Sequence, residues 1–369
     1  MHEKPHFCTM AELLKEQINK SFLSKLSDAL QMAQPSFDKK SFFHALPQET
    51  WHVLELKQRI RAVSLALNQC LTLPYQEQID VLLKSCHEFS GLPALVFPDF
   101  VEVFGLEDFE SSIEALEKFT VLCTAEFAIR LFLIKDYERT FYQMKKWAQS
   151  ENLHHRRLAS EGMRTKLPWA IKVPILYKKN EDILGILELV RHDESEYVRR
   201  SVANNLNDLS KDFPEVVLQV LSHWNTEQKT DKKMIKHALR SLLKSGNITA
   251  LNLVGVQKVS FTIRGLRQNQ TDLRLNDMYE FSFTLLNNGV TDEFYRLEYK
   301  IGFVKASGSY SYKVFKIGEY RLKANEEKVI VRRHAFKDLT TRKHYGGKHS
   351  ISLIVNGEEM ETHFIELIL

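Results

Sequence analysis

Apolar residues recur three and four apart through the first two-thirds of the chain. In "MAELLKEQINKSFLSKLSDALQMA" (10–33) and "SSIEALEKFTVLCTAEFAIRLFLIKDYERTFYQMKKWA" (111–148) that spacing predicts amphipathic helices. Breaks rich in Gly and Pro, such as "GLPALVFPDF" and "RTKLPWAIKVP", punctuate them. After about residue 255 the pattern changes. "VSFTIRGL", "MYEFSFTLLNN", "RLEYKIGFVKA", "YSYKVFKIGEY", "KVIVRRHAF" and "HSISLIVNG" are short, β-branched and aromatic, and the turn signals "NNG", "NGEE" and "YGG" lie between such stretches. Roughly seven strands in about 110 residues predict a small sandwich of immunoglobulin-like architecture.

The helical part repeats itself. "RRLASEGMR" (156–164) aligns with "RRSVANNLN" (199–207) at an offset of 43 residues, and "IKHALRSLLKSG" is a looser third copy. A period near 40–47 residues fits HEAT-like helix pairs, which stack into a solenoid whose inner face is lined by the second helix of each pair. The expected fold is therefore an α-solenoid of HEAT-like repeats over residues 1–252, followed by an immunoglobulin-like β-sandwich over 253–369.

Composition narrows the function without naming it. The chain has 369 residues, 44% of them hydrophobic and 27% charged, with a formal net charge of +4. That reads as a globular protein, compatible with a polyanionic partner but no proof of one. Cys8, Cys70, Cys86 and Cys123 form no CxxC pair and lack metal-ligand spacing, so reduced thiols and no bound metal are expected. The first residues lack an apolar core and no apolar run reaches membrane-spanning length, so a cytoplasmic location without a membrane anchor is expected. P-loop, GxGxxG, GxSxG and HExxH motifs are all missing, which points away from a cofactor.

One stretch concentrates candidate chemistry. In "LHHRRLASEGMRTKLPWA" (153–170), Arg157, Glu161 and Arg164 fall at i, i+4 and i+7, one helical face, and Trp169 follows past the helix end. An exposed salt-bridge row is the plain alternative. The repeat does not demand the carboxylate, because Asn204 occupies its equivalent position. Glu126 sits in the apolar run "VLCTAEFAIRLFLI", where a carboxylate is costly unless paired or functional. Arg130, at i+4, would supply a structural pair. Asp208 ends the next repeat's inner helix, where solvation is the ordinary reading. Arg199 is placed for a structural bond to Asp193 in the preceding turn, and Arg156, at the equivalent position, shares that structural reading. The basic stretches "RRH" (332–334) and "TRKHYGGKHS" (341–350) are either a phosphate contact or a solvated loop.

"TAEFAIRLFL", "HHRRLASEGMRTKLPWA", "VRRSVANNLNDLSKD" and "FPDFVEVFG" resemble signature segments of the AlkC-type DNA alkylation-repair glycosylases, HEAT-like-repeat enzymes related to AlkD. The C-terminal part resembles the immunoglobulin-like domain of one AlkC subgroup. The resemblance implies a monofunctional, monomeric DNA glycosylase that removes cationic alkylated bases, N3-methyladenine and N3-methylcytosine, from duplex DNA without full base flipping. It implies Glu126, Glu161, Trp169 and Asp208 as catalytic residues, and Arg156, Arg157, Arg164 and Lys166 as DNA-binding ones. The AlkD branch uses an aspartate as main carboxylate, which leaves open how Glu126 and Glu161 divide the work.

These residue types suit such chemistry. A base alkylated at a ring nitrogen already leaves readily, so the developing charge lies on the sugar, where a fixed carboxylate can stabilise it and orient water. At about 4 Å and an effective dielectric near 20 the attraction is about 4 kcal/mol, roughly three decades in rate. Arg157 and Arg164 would grip phosphates on either side of Glu161, and Trp169 would lie against the cationic base. The competing reading is a non-catalytic HEAT-type scaffold for DNA or protein, which has no need of a carboxylate at position 161.

Overall fold

In the computed structural model, residues 14–227, 231–338 and 343–369 are described. Cys8, the first residues of the 10–33 stretch, and Thr341 and Arg342 of the basic stretch lie outside them. Fifteen α-helices are followed by eight strands among the described residues. The chain divides into two compact units, Met1–Leu209 and Ser210–Leu369. The change from helix to strand falls within the second, between Leu253 and Phe261.

The first unit contains α1 (Lys20–Ala33), α2 (Lys39–Ala45), α3 (Leu56–Cys70), α4 (Tyr75–Ser85), α5 (Val96–Phe104), α6 (Phe109–Leu122), α7 (Ile129–Lys135), α8 (Tyr137–Ala148), α9 (Leu153–Gly162), α10 (Asn180–Val190) and α11 (Glu196–Leu209). Side-chain caps set several of the starts. Asn19, Asp136 and Asn152 accept hydrogen bonds from the first-turn amides of Phe22, Arg139 and His154. The long apolar run of 111–148 is three helices rather than one. It breaks at Cys123 (φ −149°, ψ −105°) and again at Asp136, which both closes α7 and caps α8.

Helices pack on neighbours two places along the chain: α9 on α11, α8 on α10, α3 on α5 and α4 on α6. That is how stacked two-helix repeats behave. Two arginines repeat one another in detail. Arg156 Nη1 donates to the carbonyls of Ser150 and Glu151 at 2.9 and 2.7 Å, and Arg199 Nη1 to those of Asp193 and Glu194 at 2.7 and 2.9 Å. In addition, Arg156 Nη2 donates to Asp193 Oδ1 at 3.0 Å, tying one repeat to the turn of the next.

The second unit opens with α12 (Pro214–Asn225), α13 (Lys232–Ala238), α14 (Arg240–Lys244) and α15 (Ile248–Leu253). The looser third copy of the repeat is thus two short helices, α13 and α14. The strands are β1 (Phe261–Gln268), β2 (Asp272–Arg274), β3 (Met278–Asn287), β4 (Glu293–Val304), β5 (Tyr310–Leu322), β6 (Glu327–Ala335), β7 (Gly347–Val355) and β8 (Glu358–Ile368). They form two sheets, β1-β3-β6 and β2-β8-β7-β4-β5. Tyr279, Phe281, Phe283 and Leu285 alternate inward from β3 to meet Tyr295, Tyr299 and Ile301 of β4, an immunoglobulin-like core. Short β2 and mixed-pattern β8 had no clear sequence signal; β8 is recognised by its pairing with β7.

Candidate functional site

The site is built on the turn before α7, the end of α9, the loop after it and the inner face of α11. Residues 124–128 are not yet helix, so the i+4 pair expected between Glu126 and Arg130 does not form. Thr124 instead folds the turn: its hydroxyl accepts from the Glu126 amide at 3.2 Å and donates to Glu126 Oε2 at 2.9 Å. Arg157 reaches across from α9 to the same oxygen and donates also to Thr124 Oγ1, at 2.8 Å. Among the described residues, the bonds to the Glu126 carboxylate all fall on Oε2 and none on Oε1.

Glu161 is held on both oxygens. Arg164 Nη1 donates to Oε1 at 2.5 Å and Arg157 Nη2 lies 3.5 Å from it, while Ser201 Oγ of α11 donates to Oε2 at 2.6 Å. Arg164 Nε then donates to Asp208 Oδ2 at 2.8 Å. Glu126, Arg157, Glu161, Arg164 and Asp208 are therefore one chain of charge-assisted bonds spanning two repeats. It is buried: Glu161 is 4% exposed and Asp208 1%. An exposed salt-bridge row and a solvated Asp208 are both excluded. Burial pulls the guanidinium pKa values of Arg157 and Arg164 down, but their carboxylate neighbours outweigh it and the net shift is upward.

Two of the residues expected to bind DNA turn toward the protein itself. Arg164, 7% exposed, turns inward to bridge Glu161 and Asp208. Arg156 directs its donors to Asp193 and two carbonyls, and so ties repeats together. Arg157 is also engaged with carboxylates, and its guanidinium stacks 5.2 Å from the Tyr197 ring centre. Lys166 is half-buried in the loop after α9.

That loop is clamped by cations. Arg130, 1% exposed, donates to the carbonyls of Gly162, Arg164 and Ile171 at 3.0, 2.8 and 2.8 Å; burial pulls its pKa down to about 10. Lys57 of α3 donates to the Trp169 carbonyl at 2.9 Å. Trp169 has a left-handed backbone, φ 62°, and its side chain is 64% exposed. Such a conformation costs about 1–3 kcal/mol for a bulky residue and persists only where the surroundings hold it. Sequence reading did not single out Ser201 or Lys57, and took Arg130 only as a partner for Glu126. The loop's carbonyls leave no trace in sequence that would have found the two clamps.

In the β-domain the histidines of the basic stretches are turned inward, while Arg333, Lys343 and Lys348 are exposed. His334 Nδ1 lies 2.8 Å from the Tyr299 hydroxyl, His344 and His349 are buried, and Arg333 pairs with Glu280.

Comparison with known proteins agrees with this architecture. Residues 105–242 match the family of DNA alkylation repair enzymes, and residues 262–369 match the C-terminal Ig-like domain described for the uncharacterised protein YhaZ. The chain is 43% identical over 347 residues to uncharacterised protein YhaZ of Bacillus subtilis (strain 168), covering 94% of this chain and 96% of that one. It is also similar to a solved structure of Pseudomonas fluorescens alkylpurine DNA glycosylase AlkC bound to DNA containing an abasic site analog. There the TM-score is 0.91 and the identity 37%, over 96% of this chain and 99% of the other. The chain belongs to the AlkC-type DNA alkylation-repair glycosylases, in the form that carries a C-terminal immunoglobulin-like domain. It is a DNA glycosylase and its partner is DNA, which sets the scaffold alternative aside. No helix among the described residues is long and apolar enough to cross a membrane.

Proposed function

We propose that this enzyme hydrolyses the N-glycosidic bond of cationic alkylated bases in duplex DNA, N3-methyladenine and N3-methylcytosine among them, and that Glu126 presents the working carboxylate oxygen. The observation that carries this is the difference between the two glutamates. Both oxygens of Glu161 are occupied by Arg164, Arg157 and Ser201, whereas Oε2 of Glu126 is fixed by Thr124 and Arg157 and its Oε1 meets no donor among the described residues. A carboxylate with one oxygen pinned and the other open is suited to stabilise positive charge on the sugar and to orient water. Glu161 and Asp208 act behind it, fixing Arg157 and Arg164.

Trp169 is the aromatic face offered to the cationic base or sugar: its indole is exposed, and its backbone carbonyl shares the Lys57 ammonium with the ring of Phe127, next to Glu126. Reading the lesion with a projecting ring, rather than inside a deep enclosure, fits excision without full base flipping. We also assign Lys166, half-buried in the same loop, to the DNA backbone.

Glu126→Gln tests the assignment directly. Single-turnover release of N3-methyladenine is expected to fall by about three decades, the scale of a carboxylate's attraction for the oxocarbenium-like sugar, with DNA affinity nearly unchanged. Release at the wild-type rate would sink the role given to Glu126. Glu161→Gln is expected to lower release together with thermal stability, because it loosens two buried guanidiniums at once.

A further inference from the structure

Lys57 occupies a position that local helix physics disfavours. It is the second residue of α3, where the helix dipole opposes a cation, and the nearest acid on that helix is the N-cap Glu55, engaged in a capping box with Gln58. Departures from local preference of this sort tend to mark functional positions. Among the described residues, its ammonium makes two direct contacts with the site. It donates to the Trp169 carbonyl at 2.9 Å and stands 4.3 Å from the centre of the Phe127 ring, the residue next to Glu126. Lys57 also borders a small cavity with Asp99, Glu102, Thr124 and Phe127, and with Arg61 its charge helps to offset the half-buried Glu102 carboxylate.

We propose that Lys57 is a positioning residue for excision: its ammonium holds the strained backbone of Trp169 and couples the indole's placement to the Glu126 turn. A charge-assisted bond to the carbonyl stabilises the left-handed conformation where an ordinary loop would relax. Arg130 fixes the loop from inside, through the carbonyls of Gly162, Arg164 and Ile171, and Lys57 fixes its exposed crest. Without Lys57 the ring would still be present but would sample several directions. Loss of that preorganisation lowers the rate of the chemical step far more than it lowers binding. The inference rests on the reading of Trp169 as the ring that meets the lesion.

The test uses the full-length enzyme and duplex DNA carrying N3-methyladenine. Lys57 is exposed, so Lys57→Met keeps the aliphatic stem, removes the ammonium and leaves folding intact. Single-turnover release is expected to fall about tenfold, with DNA affinity and Tm close to wild type, and Lys57→Arg is expected to restore most of the rate. In a Trp169→Ala background, Lys57→Met should cause no additional loss. An undiminished rate for Lys57→Met, a loss of affinity in place of rate, or additivity with Trp169→Ala would overturn the proposal while leaving Trp169 in place. A wild-type rate for Trp169→Ala itself would remove the reading on which the proposal depends.

Discussion

At the scale of single residues, the buried ion chain decides what each side chain can do. Arg164 links Glu161 and Asp208 directly, through Nη1 and Nε. Arg164→Met would leave both carboxylates buried beside an apolar stem. A cost of about 3–5 kcal/mol in urea unfolding is expected. Arg164→Lys should recover only part of it, since an ammonium cannot present two donors in one plane. The thiol of Cys123 offers a second residue-scale check. Burial pushes its pKa up to about 12 from an ordinary 9.0. The folded state therefore holds this proton more tightly than the unfolded one. The resulting stability is complete below about pH 9 and is lost as the pH climbs towards about 12. At pH 8, iodoacetamide should label Cys123 tens of times more slowly in the native than in the unfolded protein, the loss of thiolate being partly offset by the greater nucleophilicity of a more basic thiolate. Mass spectrometry of the labelled peptide would read this. At this scale the sequence was informative about which residues matter and less so about their partners. Glu126 was conspicuous because a carboxylate in an apolar run needs a reason. Its partner was misread, since i+4 spacing holds only inside a helix and α7 begins at Ile129, three residues later.

At the scale of elements, the repeat was legible because it rests on local geometry. Arg156 and Arg199 each reach back five and six residues to carbonyls, and such bonds recur wherever the helix-turn pattern recurs. The end of α9 was not legible, because it is set by close packing between helices. A Cβ at Gly162 would meet Met144 Cε at 2.8 Å and Ile129 Cγ2 at 2.9 Å. The Met144 tip can swing aside; Ile129, 0% exposed at the start of α7, has less freedom. Gly162→Ala should therefore destabilise by about 1–3 kcal/mol, although alanine is the better helix former by about 1 kcal/mol. Glu161 precedes this glycine and Arg130 holds its carbonyl, so excision should fall along with stability. Chemical denaturation and single-turnover release on the same variant would show whether the two losses travel together.

At the scale of the whole chain, the change from helical to strand pattern is plain in the sequence, but it is not where the compact units divide. The helices α12–α15 fold with the β-sandwich in the unit that begins at Ser210. Specific bonds explain this. Lys236 Nζ of α13 donates to both oxygens of Glu319 in β5, at 2.9 and 3.0 Å. The side chain of Asn356 donates to the carbonyl of Gln257 at 2.8 Å, and Leu251 of α15 lies so close to Gly357 that an added Cβ would sit 2.5 Å from its Cδ1. Such long-range pairings have no periodicity for a sequence reading to detect. They predict that residues 210–369, expressed alone, unfold in one transition in which helical and sheet signals are lost together. A fragment of 1–252 should lose amide protection over 214–253 relative to the intact protein, in hydrogen exchange read by mass spectrometry. Equal protection in both would mean that these helices owe nothing to the strands. The Lys236–Glu319 bond adds a pH signature. Partial burial tends to raise the Glu319 carboxyl, but Lys236 and Lys316 outweigh it and hold the pKa below the ordinary value. The stabilising contribution is thus present at neutral pH and is lost as the pH falls through the lowered value. Acid should loosen α13 from the sandwich before the sandwich itself melts, and Glu319→Gln should remove that acid-sensitive step while leaving the strand core cooperative.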